Sequence, residues 1–196
     1  GKSSGGYGAL FHAMHHPDVW GAAASHAGDV DFELAYRPWF PQTCSVLANH
    51  GGGINGFLAD FWKSEAPAGA DYSALMTIAM AASYDPDPAR PENIRLPFDL
   101  AECRLEPARW SAWLAFDPIN MVASHVQALK SLRALYLDVG NRDQYNLLFG
   151  TRQLSRTLNQ LGVPHRFEEF EGTHSGLDFR LDVSLPMIAG ALQAGT

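Results

Sequence analysis

Gly1-Lys2-Ser3-Ser4-Gly5 opens the chain with the pattern G-x-S-x-G. A serine flanked in this way suits a nucleophile on a very sharp turn between a strand and a helix. Its Oγ stands exposed, and glycines two residues to either side remove Cβ atoms that would clash. The helix that follows offers backbone N–H groups to an oxyanion, that of Ser4 among them. Gly6-Tyr7-Gly8-Ala9 continues the run. Glycine in a helix costs ~1 kcal/mol relative to alanine, so a glycine-rich first turn implies close packing against a neighbour.

A nucleophile of this kind takes its partners in the order serine, acid, histidine, each on a loop after a strand. Two later segments fit. The apolar run ALYLDVG (134–140) reads as a central parallel strand and is followed by Asn141-Arg142-Asp143. The segment HRFEEFEG (165–172) reads as a further strand, though its alternation is poor, and leads into Thr173-His174-Ser175-Gly176. Asp143 is therefore the expected acid and His174 the expected base. The base must reach the serine hydroxyl, while the acid fixes its tautomer and stabilises the imidazolium. Asp138 lies within its strand and is expected to be a structural hydrogen-bonding residue. Asp29 remains an alternative acid or a pocket residue.

Other candidates are weighed against this set. His12 and His16 stand four apart on a helix, which is metal spacing, but no third ligand is nearby, and a helix-surface role is expected. His50-Gly51-Gly52-Gly53 matches an oxyanion loop that elsewhere precedes the nucleophile; here it follows Ser3 and reads as a turn. Gly1-Lys2-Ser3 also matches the end of a phosphate-binding loop, and ALYLDVG the strand whose aspartate would hold magnesium. That nucleotide-hydrolase reading leaves His174 without a role.

The elements that must position these residues alternate. Tyr7, Leu10 and Met14 mark a helix over 5–16 that Pro17 stops. WGAAASHAGD (20–29) reads as a buried strand, and Leu147, Leu154, Leu158 and Leu161 stripe a helix ended by Gly162 and Pro164. The tail 178–193 reads as a closing helix in which Pro186 is a difficulty. Helix–strand alternation of this sort implies parallel β-α-β units. Between Asp31 and Trp110 the rhythm breaks into an aromatic stretch with a proline-rich run at 85–97. Residues 31–110 are read as an insertion, a lid or pocket wall, on a core of 1–30 and 111–196.

At 196 residues the chain has the length of one domain, and 46% hydrophobic residues is an ordinary globular composition. No apolar run approaches the ~20 residues of a membrane-spanning helix. Fourteen basic and twenty-one acidic residues give a net charge of −7, with no basic cluster to meet a nucleic acid. Cys44 and Cys103 are the two cysteines, too few for a disulfide scaffold; one bridge is possible, and two separate thiols are expected.

The segment GKSSGGYGALFHAMHHPDVWGAAASHAGD resembles the elbow region of the esterase family that includes esterase D, S-formylglutathione hydrolases, feruloyl esterases and mycolyltransferases. YLDVGNRDQYNLLFG resembles its acid loop, and GVPHRFEEFEGTHSG its last strand and histidine loop. The resemblance covers about 1–30 and 117–176. It implies an α/β-hydrolase fold with Ser3, Asp143 and His174 as triad, the Ser4 N–H in the oxyanion hole, and no metal or organic cofactor. It also implies strands one to five ahead of the elbow, so an upstream N-terminal segment is expected, supplying a second oxyanion donor. The expected reaction is hydrolysis of a small-molecule carboxylic ester through an acyl-enzyme, with the aromatic insertion favouring an apolar or aromatic acyl group. Thioester hydrolysis or acyl transfer would use the same parts. A non-catalytic binding domain of the same fold is the alternative from another class. A soluble protein is expected, the cytoplasm favoured.

Overall fold

The computed structural model describes residues 1–51, 53–90 and 92–194. In chain order the elements are α1 (Ser4–His15), β1 (Ala22–His26), α2 (Phe32–Ala35), α3 (Phe40–Asn49), α4 (Ile54–Phe61), α5 (Gly69–Tyr84), α6 (Pro107–Leu114), α7 (Pro118–Met121), α8 (Val126–Ser131), β2 (Ala134–Gly140), α9 (Leu147–Gln160), β3 (Arg166–Phe170) and α10 (Leu181–Gln193). Short 3₁₀ turns cover Arg37–Trp39, Val122–His125 and Asp178–Arg180. The chain divides into two compact units, one of residues 1–35 and 117–196, the other of residues 36–116.

The first unit is built on a parallel sheet in the order β1-β2-β3. Ala22 to His26 pair with Ala134 to Asp138, and Tyr136 to Gly140 pair with Arg166 to Phe170. The central strand β2 is buried on both faces, as its unbroken apolar run implies. Strand pleating sends its side chains alternately up and down. Leu135 and Leu137 join Leu10, Met14, Leu129, Leu154 and Leu158 in one apolar core. Tyr136 and Asp138 point the other way and meet Arg180, and Asp138 also meets His26, which in turn bonds Ser184 of α10. Asp117 ties the ends of this unit's two chain segments together: its carboxylate accepts from Asp31 N at 2.9 Å, Phe32 N at 2.7 Å and Ile119 N at 3.2 Å.

Two local details differ from expectation. Pro186 lies inside α10, which continues through it. Proline there forfeits one backbone bond and crowds the preceding turn, and the packing of this helix against β1 and β2 offsets that cost. The glycines after the elbow also divide in their roles. A Cβ on Gly6 would lie 2.9 Å from Gly28 Cα and 2.9 Å from Ser25 Oγ, so α1 packs on the sheet through Gly6. Gly5 and Gly8 have no such neighbour within 4 Å; both line a groove beside β1.

The second unit is helical. Phe40 packs against Phe98, Trp110 and Trp113, with ring centroids at 4.5, 5.4 and 6.0 Å. Thr43 and Thr77 share a buried hydrogen bond of 3.1 Å between α3 and α5. Arg109 pairs with Asp85 at 2.5 Å, and Arg95 pairs with Asp87. His50, Gly51 and Gly53 form the turn from α3 into α4, with Gly51 at φ 73°. Gly52 of that turn, and Pro91 of the proline-rich run, fall outside the described residues. Cys44 and Cys103 are both free thiols, and burial pushes the Cys44 thiol up to about 12.

Candidate active site

The elbow is held by its neighbour strand. His26 N donates to Gly1 O and His26 O accepts from Ser3 N, both at 2.9 Å, while Lys2 bridges His26 in parallel register. The chain then reverses: Ser3 takes φ 55°, ψ −128°, and α1 begins at the next residue. A positive φ is costly for a residue with a Cβ, on the order of 1–3 kcal/mol, and persists only where surrounding structure imposes it. Gly1 has a clear reason to be glycine, since a Cβ there would sit 2.1 Å from Gly5 O. Gly5 does not share that reason.

Three loops at the carboxyl end of the sheet bring together the residues singled out from the sequence. Ser3 Oγ lies 3.0 Å from His174 Nε2, and His174 Nδ1 lies 2.8 Å from Asp143 Oδ2. With Nδ1 donating to the carboxylate, Nε2 keeps its lone pair for the serine proton. The Asp143 side chain is fully buried and that of His174 is 12% exposed, so bulk water competes little for their bond. The second carboxylate oxygen, Oδ1, accepts from Tyr145 N at 2.9 Å. The loops that carry Asp143 and His174 are zipped to each other: Asn141 N donates to Phe170 O and Arg142 N to Gly172 O, both at 2.9 Å.

Ser4 supplies the first N–H of α1, one of the donors that a helix leaves without an internal partner. Its hydroxyl donates to Asp29 Oδ2 at 3.2 Å, and Asp29 is buried. Asp29 thus sits against the residue that follows Ser3. Asp138 is engaged by His26, Tyr136 and Arg180. Lys2 is exposed while Asp138 is fully buried among these partners, which leaves the magnesium role of the phosphate-loop reading without a carboxylate to fill it. His12 on α1 and His16 just past its end are exposed, stacked with ring centroids 5.8 Å apart. Among the described residues, no group of three or more His, Cys, Asp or Glu could hold a metal ion, and no helix is long and apolar enough to cross a membrane.

Sequence reasoning missed two contributors to the base loop. Gln144 Oε1 accepts from His174 N at 3.1 Å, and the Tyr145 ring meets the His174 imidazole edge-on at 4.8 Å. Their sole signal is adjacency to Asp143. It also passed over His26, Arg180 and Ser184, although a histidine in an otherwise small apolar strand was a visible anomaly.

Comparison with known proteins adds to this geometry. The family model described as putative esterase matches residues 1–186. Among solved structures, the chain is similar to a ferulic acid esterase, with 15% identity and a TM-score of 0.49 over 97% of this chain and 49% of that one. It is also similar to S-formylglutathione hydrolase from Staphylococcus aureus, at 14% identity and 0.48 over 97% and 52%. A third is fluorophosphonate-binding serine hydrolase F of Staphylococcus aureus, substrate bound, at 15% and 0.48 over 97% and 52%. The chain spans about half the length of these structures. No curated protein sequence matches. The family match and the parallel sheet, with helices on both faces, make this part of an α/β-hydrolase fold.

Proposed function

This chain belongs to the putative esterase family, and from that premise we propose that it carries the catalytic centre of a serine esterase acting through an acyl-enzyme. One observation carries the reading: Ser3 Oγ, His174 and Asp143 stand in a continuous hydrogen-bonded line of 3.0 and 2.8 Å. In the first half-reaction Ser3 Oγ attacks the ester carbonyl while His174 Nε2 takes its proton. Asp143 holds the imidazole in the required tautomer and balances the charge of the imidazolium. The Ser4 N–H faces the developing oxyanion as one donor. His174 then returns its proton to the leaving alkoxide, and the bond from the carbonyl carbon to that oxygen breaks. Water repeats the sequence on the acyl-serine, releasing the acid and restoring the Ser3 hydroxyl. The substrate is a small carboxylic ester; nothing in the three residues selects its acyl group.

The same reading places an extended upstream segment along β1. Beyond the bonds of Gly1 with Ala24 and His26 and of Ser3 with His26, β1 borders an apolar groove of about 420 Å³ lined by Gly5, Gly8, Ala22, Ala24 and Leu185. Sheet edges with such a border take up another strand, and a strand there would enter the elbow and bring the second oxyanion donor. Labelling with a fluorophosphonate probe tests the central assignment. The intact protein should be labelled, and Ser3→Ala should not. Equal labelling of both would overturn the assignment. Residues 1–196 expressed alone should aggregate or turn over esters at a small fraction of the intact rate, and a fully active soluble monomer would refute the strand proposal.

A further inference from the structure

Behind the elbow the protein holds a second serine, histidine and aspartate in line. Ser184 Oγ lies 2.9 Å from His26 Nε2, and His26 Nδ1 lies 2.8 Å from Asp138 Oδ1. All three are buried, at 0, 2 and 0% exposure. The spacing copies the proposed catalytic line within 0.1 Å, yet the chemistry cannot be the same. Ser184 lies in the first turn of α10 with no exposed surface, its hydroxyl turned to His26, so no ester carbonyl can reach it. The carboxylate is also committed elsewhere: Asp138 Oδ2 accepts from Arg180 Nε at 2.8 Å and from the Tyr136 hydroxyl at 3.0 Å.

What this carboxylate touches is informative. Asp138 itself lies on β2, five residues before Asp143. His26, its first partner, is the residue whose backbone N and O hold Gly1 and Ser3 in the elbow. Arg180, its second partner, lies on the 3₁₀ turn six residues after His174 and also grips Glu168 of β3 and the Tyr136 hydroxyl. One buried carboxylate is therefore linked to each of the three segments that carry Ser3, Asp143 and His174. The partners match in charge, since Arg180 supplies a cation to the buried Asp138 carboxylate and to the partly exposed Glu168. A buried charge that loses one partner is left uncompensated, so the surrounding segments must shift. A shift of about 1 Å at the reacting groups can cost on the order of a hundredfold in rate.

We propose that Asp138 is a positioning residue, the hub that sets the Ser3–His174 distance by joining the elbow through His26 and the base loop through Arg180. The proposal rests on Ser3, Asp143 and His174 being the triad. Its test compares the intact protein with Asp138→Asn, Arg180→Lys, the double variant and Ser3→Ala. Each is assayed for kcat and KM on p-nitrophenyl acetate and for thermal unfolding. Asp138→Asn, folded at the assay temperature, should lower kcat by about ten- to a hundredfold with KM within about twofold. Arg180→Lys keeps the charge but loses the planar fork, and should lose kcat several-fold. Because both act through one carboxylate, the double variant should lose little more than Asp138→Asn alone. Wild-type kcat in folded Asp138→Asn, or losses that multiply in the double variant, would overturn the proposal. If Asp138→Asn does not fold, Arg180→Lys decides: a several-fold loss of kcat at constant KM supports the hub, and unchanged kcat overturns it. Activity surviving in Ser3→Ala would instead defeat the triad itself, while an inactive Ser3→Ala beside a fully active Asp138→Asn would defeat the hub alone.

Discussion

The strain at Ser3 can be measured by removing the hydroxyl in two ways. Ser3→Ala and Ser3→Gly both lose the bond to His174, so that loss cancels between them. They differ in the backbone. Alanine keeps a Cβ at φ 55°, ψ −128°, and glycine does not. The native strain is on the order of 1–3 kcal/mol. Against it stands the extra freedom of glycine in the unfolded chain, roughly 0.5–1 kcal/mol. The glycine variant should therefore be the more stable by about 1–2 kcal/mol. A stability difference of that size appears as a Tm gap of a few degrees. Paired thermal melts of the intact protein read it directly, and neither variant needs to be active. Alanine equal to or more stable than glycine would show that the elbow stores no strain and that the surrounding contacts do not force the turn.

Asp143→Asn should leave the fold intact but lower ester turnover by on the order of 10⁴-fold, because the amide offers His174 Nδ1 the wrong partner; a loss under tenfold in steady-state kinetics would move the acid elsewhere. Burial pushes the Asp117 carboxyl up to about 6, against the pull of three backbone N–H groups. Its folded pKa lies above the unfolded value, so the stability it contributes is fully present below about pH 4 and is lost as pH rises through about 6. Denaturation at pH 4.5 and 7 should show wild type losing about 2 kcal/mol relative to Asp117→Asn over that interval, and an equal response in both would contradict it.

The parts of the fold that could be read from sequence are those in which one physical signal dominates. β2 is buried on both faces and so is a plain apolar run, and α9 shows a clean leucine stripe whose Leu154 and Leu158 are core residues. β3 hid its alternation because both faces carry charge: Glu169 pairs with Arg152 of α9, and Glu168 with Arg180 before α10. The helices of the second unit were not read as such. α5, for one, is a run of small and apolar residues with no polar face to mark its period. In the candidate site, Ser3, Asp143 and His174 were singled out by their order and by the loops after β2 and β3, and these three are hydrogen-bonded in line. The polar hub did not. His26, Asp138 and Arg180 lie 112 and 42 residues apart in sequence, and no local pattern reveals that they converge on one carboxylate.

The account stands or falls on a covalent bond at Ser3. An excess of p-nitrophenyl acetate mixed with the intact protein and quenched in acid within the first turnover should trap the acyl-enzyme. Digestion and mass spectrometry should then find one acetyl group on the peptide that contains Ser3, with none on the corresponding peptide of Ser3→Ala. Acetyl on another residue, or Ser3→Ala turning over the ester at the wild-type rate, would contradict the assignment.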